Sequence, residues 1–256
     1  MKTTRIALVL LLGIMLLSGF ACGGGNGEGG DVVNTPDPNL EAAIREAIEK
    51  PIGDIYESDL LGLAKLYASG RDITDLNGLE YCTNLIQLSL RNNQISDISP
   101  LSGLSSLTTL DIGDNQISDI SPLSGLSSLT QLSLRDNQIS DISPLSGLSS
   151  LTVLNLWINQ ISDISPLSGL ASLTQLSLWD NQISDISPLS GLASLTQLSL
   201  WDNQISDIEP LVNNLGLSLG DSVDLGGNPL STISIDTYIP QLEARGVIVK
   251  YPPNHP

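Results

Sequence analysis

Leu129-Thr130-Gln131-Leu132-Ser133-Leu134-Arg135-Asp136-Asn137-Gln138-Ile139-Ser140-Asp141-Ile142-Ser143-Pro144-Leu145-Ser146-Gly147-Leu148-Ser149-Ser150 decides the fold of this chain. The stretch recurs with a period of 22 residues. Leu85, Leu107, Leu129, Leu151, Leu173 and Leu195 each open Leu-x-x-Leu-x-Leu/Ile-x-x-Asn-Gln-Ile. Self-similarity at such a period predicts stacked coils, each burying the apolar side of the next. Leu132 and Leu134 are two apart, so both face inward from one short strand. Leu129, Ile139, Ile142, Leu145 and Leu148 fill the rest of the coil. Each buried Leu or Ile contributes about 1.5–3 kcal/mol, and the column repeats down the stack.

Two further registers shape the turns. Asn93, Asn115, Asn137, Asn159, Asn181 and Asn203 are expected to stack as a ladder. A buried Asn donates to and accepts from backbone groups that a sharp turn leaves unpaired. Pro100, Pro122, Pro144, Pro166, Pro188 and Pro210 open the return, where Pro fixes the first residue of a helical turn. The next coil starts 7 residues after each Pro up to Pro188, which leaves room only for a short 3₁₀ turn. A degenerate copy starts at Leu63, with Leu66, Ala68 and Ile73 in register and Arg71 in the Asn position. A last copy carries Val223, Leu225, Asn228 and Leu230, three residues out of register, giving about eight coils.

Asn-Gln-Ile-Ser-Asp-Ile-Ser-Pro-Leu-Ser-Gly-Leu resembles the 22-residue leucine-rich repeat of bacterial internalins, over roughly residues 36–251. The resemblance implies an α/β-type repeat solenoid, a curved leucine-rich-repeat horseshoe. It puts a parallel β-sheet on the concave face and short 3₁₀ turns on the convex face. It also implies a ligand-binding concave face, since members of the family bind proteins, often host surface receptors. The ends read as caps. Leu40, Ile44 and Ile48 share a helical face after Asp37 or Asn39, like the helical N-terminal cap of such proteins. Tyr238–Arg245 reads as a helix stopped by Gly246, and Val247-Ile248-Val249 as a closing strand.

The beginning of the chain reads as an export signal. Lys2 and Arg5 precede Ile6–Leu17, an apolar run too short to span a bilayer. Gly19-Phe20-Ala21 leads into Cys22 and then a Gly-rich stretch to Gly30, resembling a bacterial lipoprotein signal with lipid on Cys22. Gly19 departs from the Leu usual at that place, and ordinary cleavage after Ala21 is the alternative. In that case Cys22 and Cys82, the only cysteines, become a candidate disulfide. The expected divisions are a signal peptide at 1–21, a lipid-attachment Cys and tether at 22–35, and a helical cap at 36–62. Repeats follow at 63–230, then a C-terminal cap and tail at 231–256.

Composition narrows the function. A net charge of −18 repels nucleic acid and anionic lipid heads, so a membrane contact is expected through the lipid anchor only. His255 is the single histidine, so no Ser/His/Asp, Cys/His or zinc set can be assembled. No cofactor motif is present. Asp97, Asp119, Asp141, Asp163, Asp185 and Asp207 recur once per coil, as turn caps or as calcium ligands. The cap is the stronger of the two, because the Gly-rich calcium repeat is absent. Asp111 and Asp114 form a carboxylate pair on paper, but a smooth sheet face gives them no pocket for sugar hydrolysis. An enzyme is not expected.

What varies between coils lies beside the strands. The residue after the second strand leucine reads Arg91, Gly113, Arg135, Trp157, Trp179, Trp201. The next reads Asn92, Asp114, Asp136, Ile158, Asp180, Asp202. All three tryptophans thus share one register in consecutive coils, a column at strand spacing. With Ile158, Val153 and Asn155 beside it and Asp180 and Asp202 at its rim, the column is the expected ligand-binding patch on the concave face. Arg91 and Arg135 stand on the polar N-terminal side. Residues 171–186 and 193–208 are identical, so duplication or self-stacking also explains the column. The expected function is a cell-surface module binding a protein ligand. A carbohydrate or cell-wall binder using the Trp column with Gln175 and Gln197, or an inert envelope scaffold, are the alternatives.

Overall fold

The structure is a computed structural model that describes residues 30–251. The signal-like segment, Cys22, most of the Gly-rich tether and His255 lie outside the described residues. Within them the leucine pattern produces strands of three residues. These are β1 (Lys65–Tyr67), β2 (Gln87–Ser89), β3 (Thr109–Asp111), β4 (Gln131–Ser133), β5 (Val153–Asn155), β6 (Gln175–Ser177), β7 (Gln197–Ser199), β8 (Ser222–Asp224) and β9 (Ile248–Lys250). They form one parallel sheet in chain order, open at both ends. Leu88, Leu110, Leu132, Leu154 and Leu176 sit opposite one another in register, each almost completely buried. This is the curved leucine-rich-repeat solenoid, with the sheet on its concave face.

The strands are short because the chain must turn. The residue before each ladder asparagine has a left-handed backbone: Asn92, Asp114, Asp136, Ile158, Asp180 and Asp202 all have φ between +49° and +57°. Asn and Asp tolerate that conformation; the β-branched Ile158, at φ +52°, does not do so without strain. The asparagine that follows closes the turn. Asn137 Nδ2 donates to the carbonyls of Leu134 and Arg135 and, across to the preceding coil, of Ile112, each at 3.1 Å. Its Oδ1 accepts the N–H of Ile117 at 2.9 Å. Asn115, Asn159, Asn181, Asn203 and Asn228 repeat the set, so every coil is stitched to the one before it. A second stitch runs through threonine: Thr130, Thr152 and Thr174 each donate Oγ1 to the carbonyl of the preceding coil's Thr at 3.0 Å.

The returns are 3₁₀ turns beginning at Ser-Pro, as at Ser143–Leu145. The Asp register caps them. Asp141 Oδ1 accepts the Ser143 N–H at 2.8 Å and its Oδ2 the Ser143 hydroxyl at 3.0 Å. The backbone bond from Ser143 holds the Asp141 carboxyl below its usual pKa. Among the described residues no group of three or more His, Cys, Asp or Glu is placed to hold a metal.

The first helix, α1 (Pro38–Ala47), is capped by Asp37, whose Oδ1 accepts the N–H groups of Asn39 and Leu40. Its other oxygen accepts from Thr74 N, Thr74 Oγ1 and Asp75 N, tying the helical cap to the first coil. A single turn, α2 (Glu57–Leu60), leads into β1. The last return departs from the pattern. Glu209-Pro210 opens a short helix, α3 (Glu209–Asn213), and the three extra residues fall between it and β8. The expected final helix begins as a π turn at Ser234–Tyr238 and continues as α4 (Ile239–Ala244), with Gly246 at φ +86° ending it before β9. Arg245 folds back to donate to the carbonyls of Leu211, Val212 and Asn214, closing the C-terminal end of α3.

Candidate binding surface

Residues just past the strands form a continuous line across the middle coils. Its first member is an ionic bridge. Arg91 Nε and Arg135 Nη2 both reach Asp114 Oδ2, at 2.7 and 2.8 Å. Gly113 makes this possible: a Cβ there would stand 2.7 Å from Arg135 Cγ, so the glycine lets Arg135 lie across its coil toward Asp114. Desolvation pushes the Asp114 carboxyl up, but the Arg91 hydrogen bond and the charges of Arg135 and Arg91 outweigh it, and its pKa falls below the ordinary value. Asp111 makes no ion pair with either arginine and accepts the Gly113 N–H, though its charge is felt by Arg91. The pair noted in the sequence is thus split between a charge network and a turn.

The arginine bridge runs directly into the tryptophans. The Arg135 guanidinium lies over the Trp157 ring, 4.7 Å from its centroid. Trp157 and Trp179 stack at 4.5 Å and 13°. Trp179 and Trp201 meet at 5.6 Å and 56°. The polar and aromatic halves, which look separate in sequence, are one continuous line of planar groups. Trp157 and Trp179 are half-buried, and Trp201 is 41% exposed. The partner of Trp201 in the next coil is Gly226, whose carbonyl accepts the Asp202 N–H, so no side chain follows the last indole.

Ile158 stands beside Trp157 in the left-handed register and is half-buried; Val153 and Asn155 are half-buried on β5. Asp180 and Asp202 are exposed next to Trp179 and Trp201. Cys22 lies outside the described residues. Cys82 is a free, fully buried thiol, and burial followed by the charge of Glu80 pushes its pKa up to about 12. It packs as a small apolar group.

The family model for Leucine Rich repeats (2 copies) matches residues 62–103, 83–125, 127–169 and 171–213. The solved structure of internalin C2 from Listeria monocytogenes is 38% identical, with a TM-score of 0.76, over 85% of this chain and 94% of that one. This chain is an internalin-type leucine-rich-repeat protein. A second Listeria monocytogenes internalin, InlF, is 35% identical at a TM-score of 0.67, over 84% of this chain and 68% of that one. A leucine-rich-repeat protein of Leptospira interrogans shares the fold at 22% identity and a TM-score of 0.56, over 69% of this chain and 51% of that one. No curated protein matches the sequence significantly.

The internalin-type sheet of this chain also carries a feature that sequence reasoning does not assemble. On its concave face, between β5 and β9, lies a hollow of about 270 Å³ walled by Gln175, Ser177, Gln197, Ser199, Asp224 and Lys250 among others. Gln175 and Gln197 stand out in the repeat, but Asp224 is hidden by the three-residue slip of the last coil. Lys250 is hidden because it comes from the closing strand. The signal that finds both is pairing: Ser199 lies opposite Asp224, and Asp224 opposite Lys250.

Proposed function

We propose that this protein is a non-catalytic binding module that recognises a protein ligand, with the Arg91–Asp114–Arg135–Trp157–Trp179–Trp201 line as the centre of contact. The observation that carries this is the line itself: six residues from six consecutive coils, joined without a gap into one ridge of planar groups. Aromatic and arginine side chains held in fixed positions are the residues that dominate protein interfaces, because they bury large area at small entropic cost. Ile158, Val153 and Asn155 extend the ridge, with Asp180 and Asp202 as its polar rim.

The same stack argues against a sugar platform on Trp157. Arg135 covers one indole face and Trp179, from the opposite neighbour, covers the other. A protein surface can still engage the ring edges and the exposed Trp201.

We further infer that the module is exported and held on the outer face of a bacterial membrane by lipid on Cys22. The charged, short-apolar, Cys, Gly-rich order of the first residues supports it, as does Cys82, which is committed to the core and so a poor disulfide partner. Mass spectrometry of membrane-extracted protein should find a diacylglyceryl N-terminal Cys22; an unmodified Cys22 or a Cys22–Cys82 disulfide contradicts it. The binding function is tested by pull-down with the full-length protein beside the Trp157/Trp179/Trp201→Ala triple variant. A partner captured by the first and not by the second, and then bound directly as purified protein, is the expected result. Equal capture by a folded triple variant contradicts it.

A further inference from the structure

Polar side chains along the concave face are used to different degrees. Toward its N-terminal end several bond to one another: Tyr67 donates to Gln87 at 2.7 Å, the Ser69 and Ser89 hydroxyls meet at 2.8 Å, and both arginines close on Asp114. In the hollow between β5 and β9 they do not. Gln175, Ser177, Gln197, Ser199 and Ser222 make no side-chain hydrogen bond among the described residues, and Lys250 makes no ion pair there. Asp224 spends one oxygen on the Gly226 N–H and keeps the other free. Unspent polar groups of five strands are thus gathered into one concavity of the sheet.

Their chemistry selects a ligand class. Amides and hydroxyls each donate and accept, which matches a ligand whose groups do the same. The floor is the face of a sheet whose backbone bonds are already used between strands, so an extended peptide finds no ladder to join. Asp224 offsets the charge of Lys250, its register partner, so the hollow itself carries no net charge, and in a chain of −18 it gives an anion no net attraction. Trp201 follows Ser199 by two residues, just past the end of β7 and outside the walls of the hollow; it is 41% exposed, and its counterpart in the next coil, Gly226, carries no side chain. An apolar ring near a set of amides, hydroxyls, one carboxylate and one ammonium is complementary to a pyranose, which has an apolar face and a rim of hydroxyls. At about 270 Å³ the space falls below the ~300–1,000 Å³ typical of drug-sized sites and suits one small unit.

We propose that this hollow is a binding site for a neutral sugar residue, held by Gln175, Gln197, Ser199 and Asp224 and bordered by Trp201. It meets the stacked ridge at Trp201, and Trp157 plays no part in it. The test is an array of immobilised neutral and acidic oligosaccharides probed with full-length wild type, Gln197→Ala, Asp224→Asn and, as a control on the turn side, Asp141→Ala. The expected result is capture by one class of neutral oligosaccharide, reduced at least tenfold in Gln197→Ala and in Asp224→Asn and changed less than twofold in Asp141→Ala. Circular dichroism confirms that the variants fold. Three outcomes overturn the proposal: no neutral oligosaccharide retained by wild type, retention of acidic glycans alone, or equal retention by folded Gln197→Ala and Asp224→Asn.

Discussion

The guanidinium of Arg135 sits 4.7 Å above Trp157 while its Nη2 holds Asp114 at 2.8 Å, so one side chain joins the ionic and aromatic parts of the surface. Its side chain is only 15% exposed, which places the contact where screening by water is weak.

Arg135→Ala removes both contacts. The expected cost is about 1–2 kcal/mol, from the stacked cation and the ion pair together. Tryptophan emission should move to longer wavelength as Trp157 gains water. Arg135→Lys should restore the charge facing Asp114 but not the planar stack, recovering less than half of the loss. A denaturant midpoint unchanged in Arg135→Ala contradicts this.

The asparagine ladder makes a second test. Asn137→Ala, Asn159→Ala and Asn181→Ala should each lower stability by roughly 1–3 kcal/mol, because several backbone groups of two coils lose their partner at once. Urea unfolding measures it, and a midpoint equal to wild type in all three would show that water replaces the amide without cost.

Ile158 is the one β-branched residue in a register otherwise filled by Asn and Asp. Ile158→Asn should relieve the left-handed strain and raise stability by about 1 kcal/mol. The same change should weaken partner binding, since it removes apolar surface beside Trp157. Thermal unfolding checks the first half; a lower midpoint means that packing of the Ile158 side chain outweighs its backbone strain.

Asp37 links stability to acid. Burial raises its pKa, but bonds from Thr74, Leu40 and Asp75 outweigh that and hold it below 3.8. A carboxylate with a depressed folded pKa contributes stability above its unfolded value, and that contribution is lost as pH falls through the folded one. Asp37→Asn should therefore be less stable at pH 7 and lose less on acidification below about pH 4. Parallel acid limbs for wild type and variant in pH-dependent melting would contradict it.

Much of this fold is legible in one repeat. The Leu129–Leu148 pattern specifies which residues face inward, where the chain turns and how long the return is, because each coil can bury its leucines in only one way. The Asn137 and Asp141 roles follow from the same turn. The threonine stitch at Thr130 and Thr152 is in the repeat too, but a hydroxyl bonding the coil behind it looks in sequence like any exposed strand residue. The Trp157–Trp179 stack is set by the register, whereas its capping by Arg135 depends on Gly113 leaving space. That is visible only when neighbouring coils are laid side by side. The hollow is the least legible part. Its Asp224 and Lys250 come from a slipped coil and a closing strand, where the 22-residue period no longer reports what lies opposite what.

The central claim is that the stacked ridge is the contact surface for a protein ligand. Its most direct test is the Kd of the purified partner for wild type, for Trp157/Trp179/Trp201→Ala, and for Asp141→Ala on the turn side as a control. The ridge account predicts at least a hundredfold weaker binding for the folded triple variant, the scale expected when central aromatic anchors are removed, and less than a twofold change for Asp141→Ala. A folded triple variant that binds within a fewfold of wild type would contradict it.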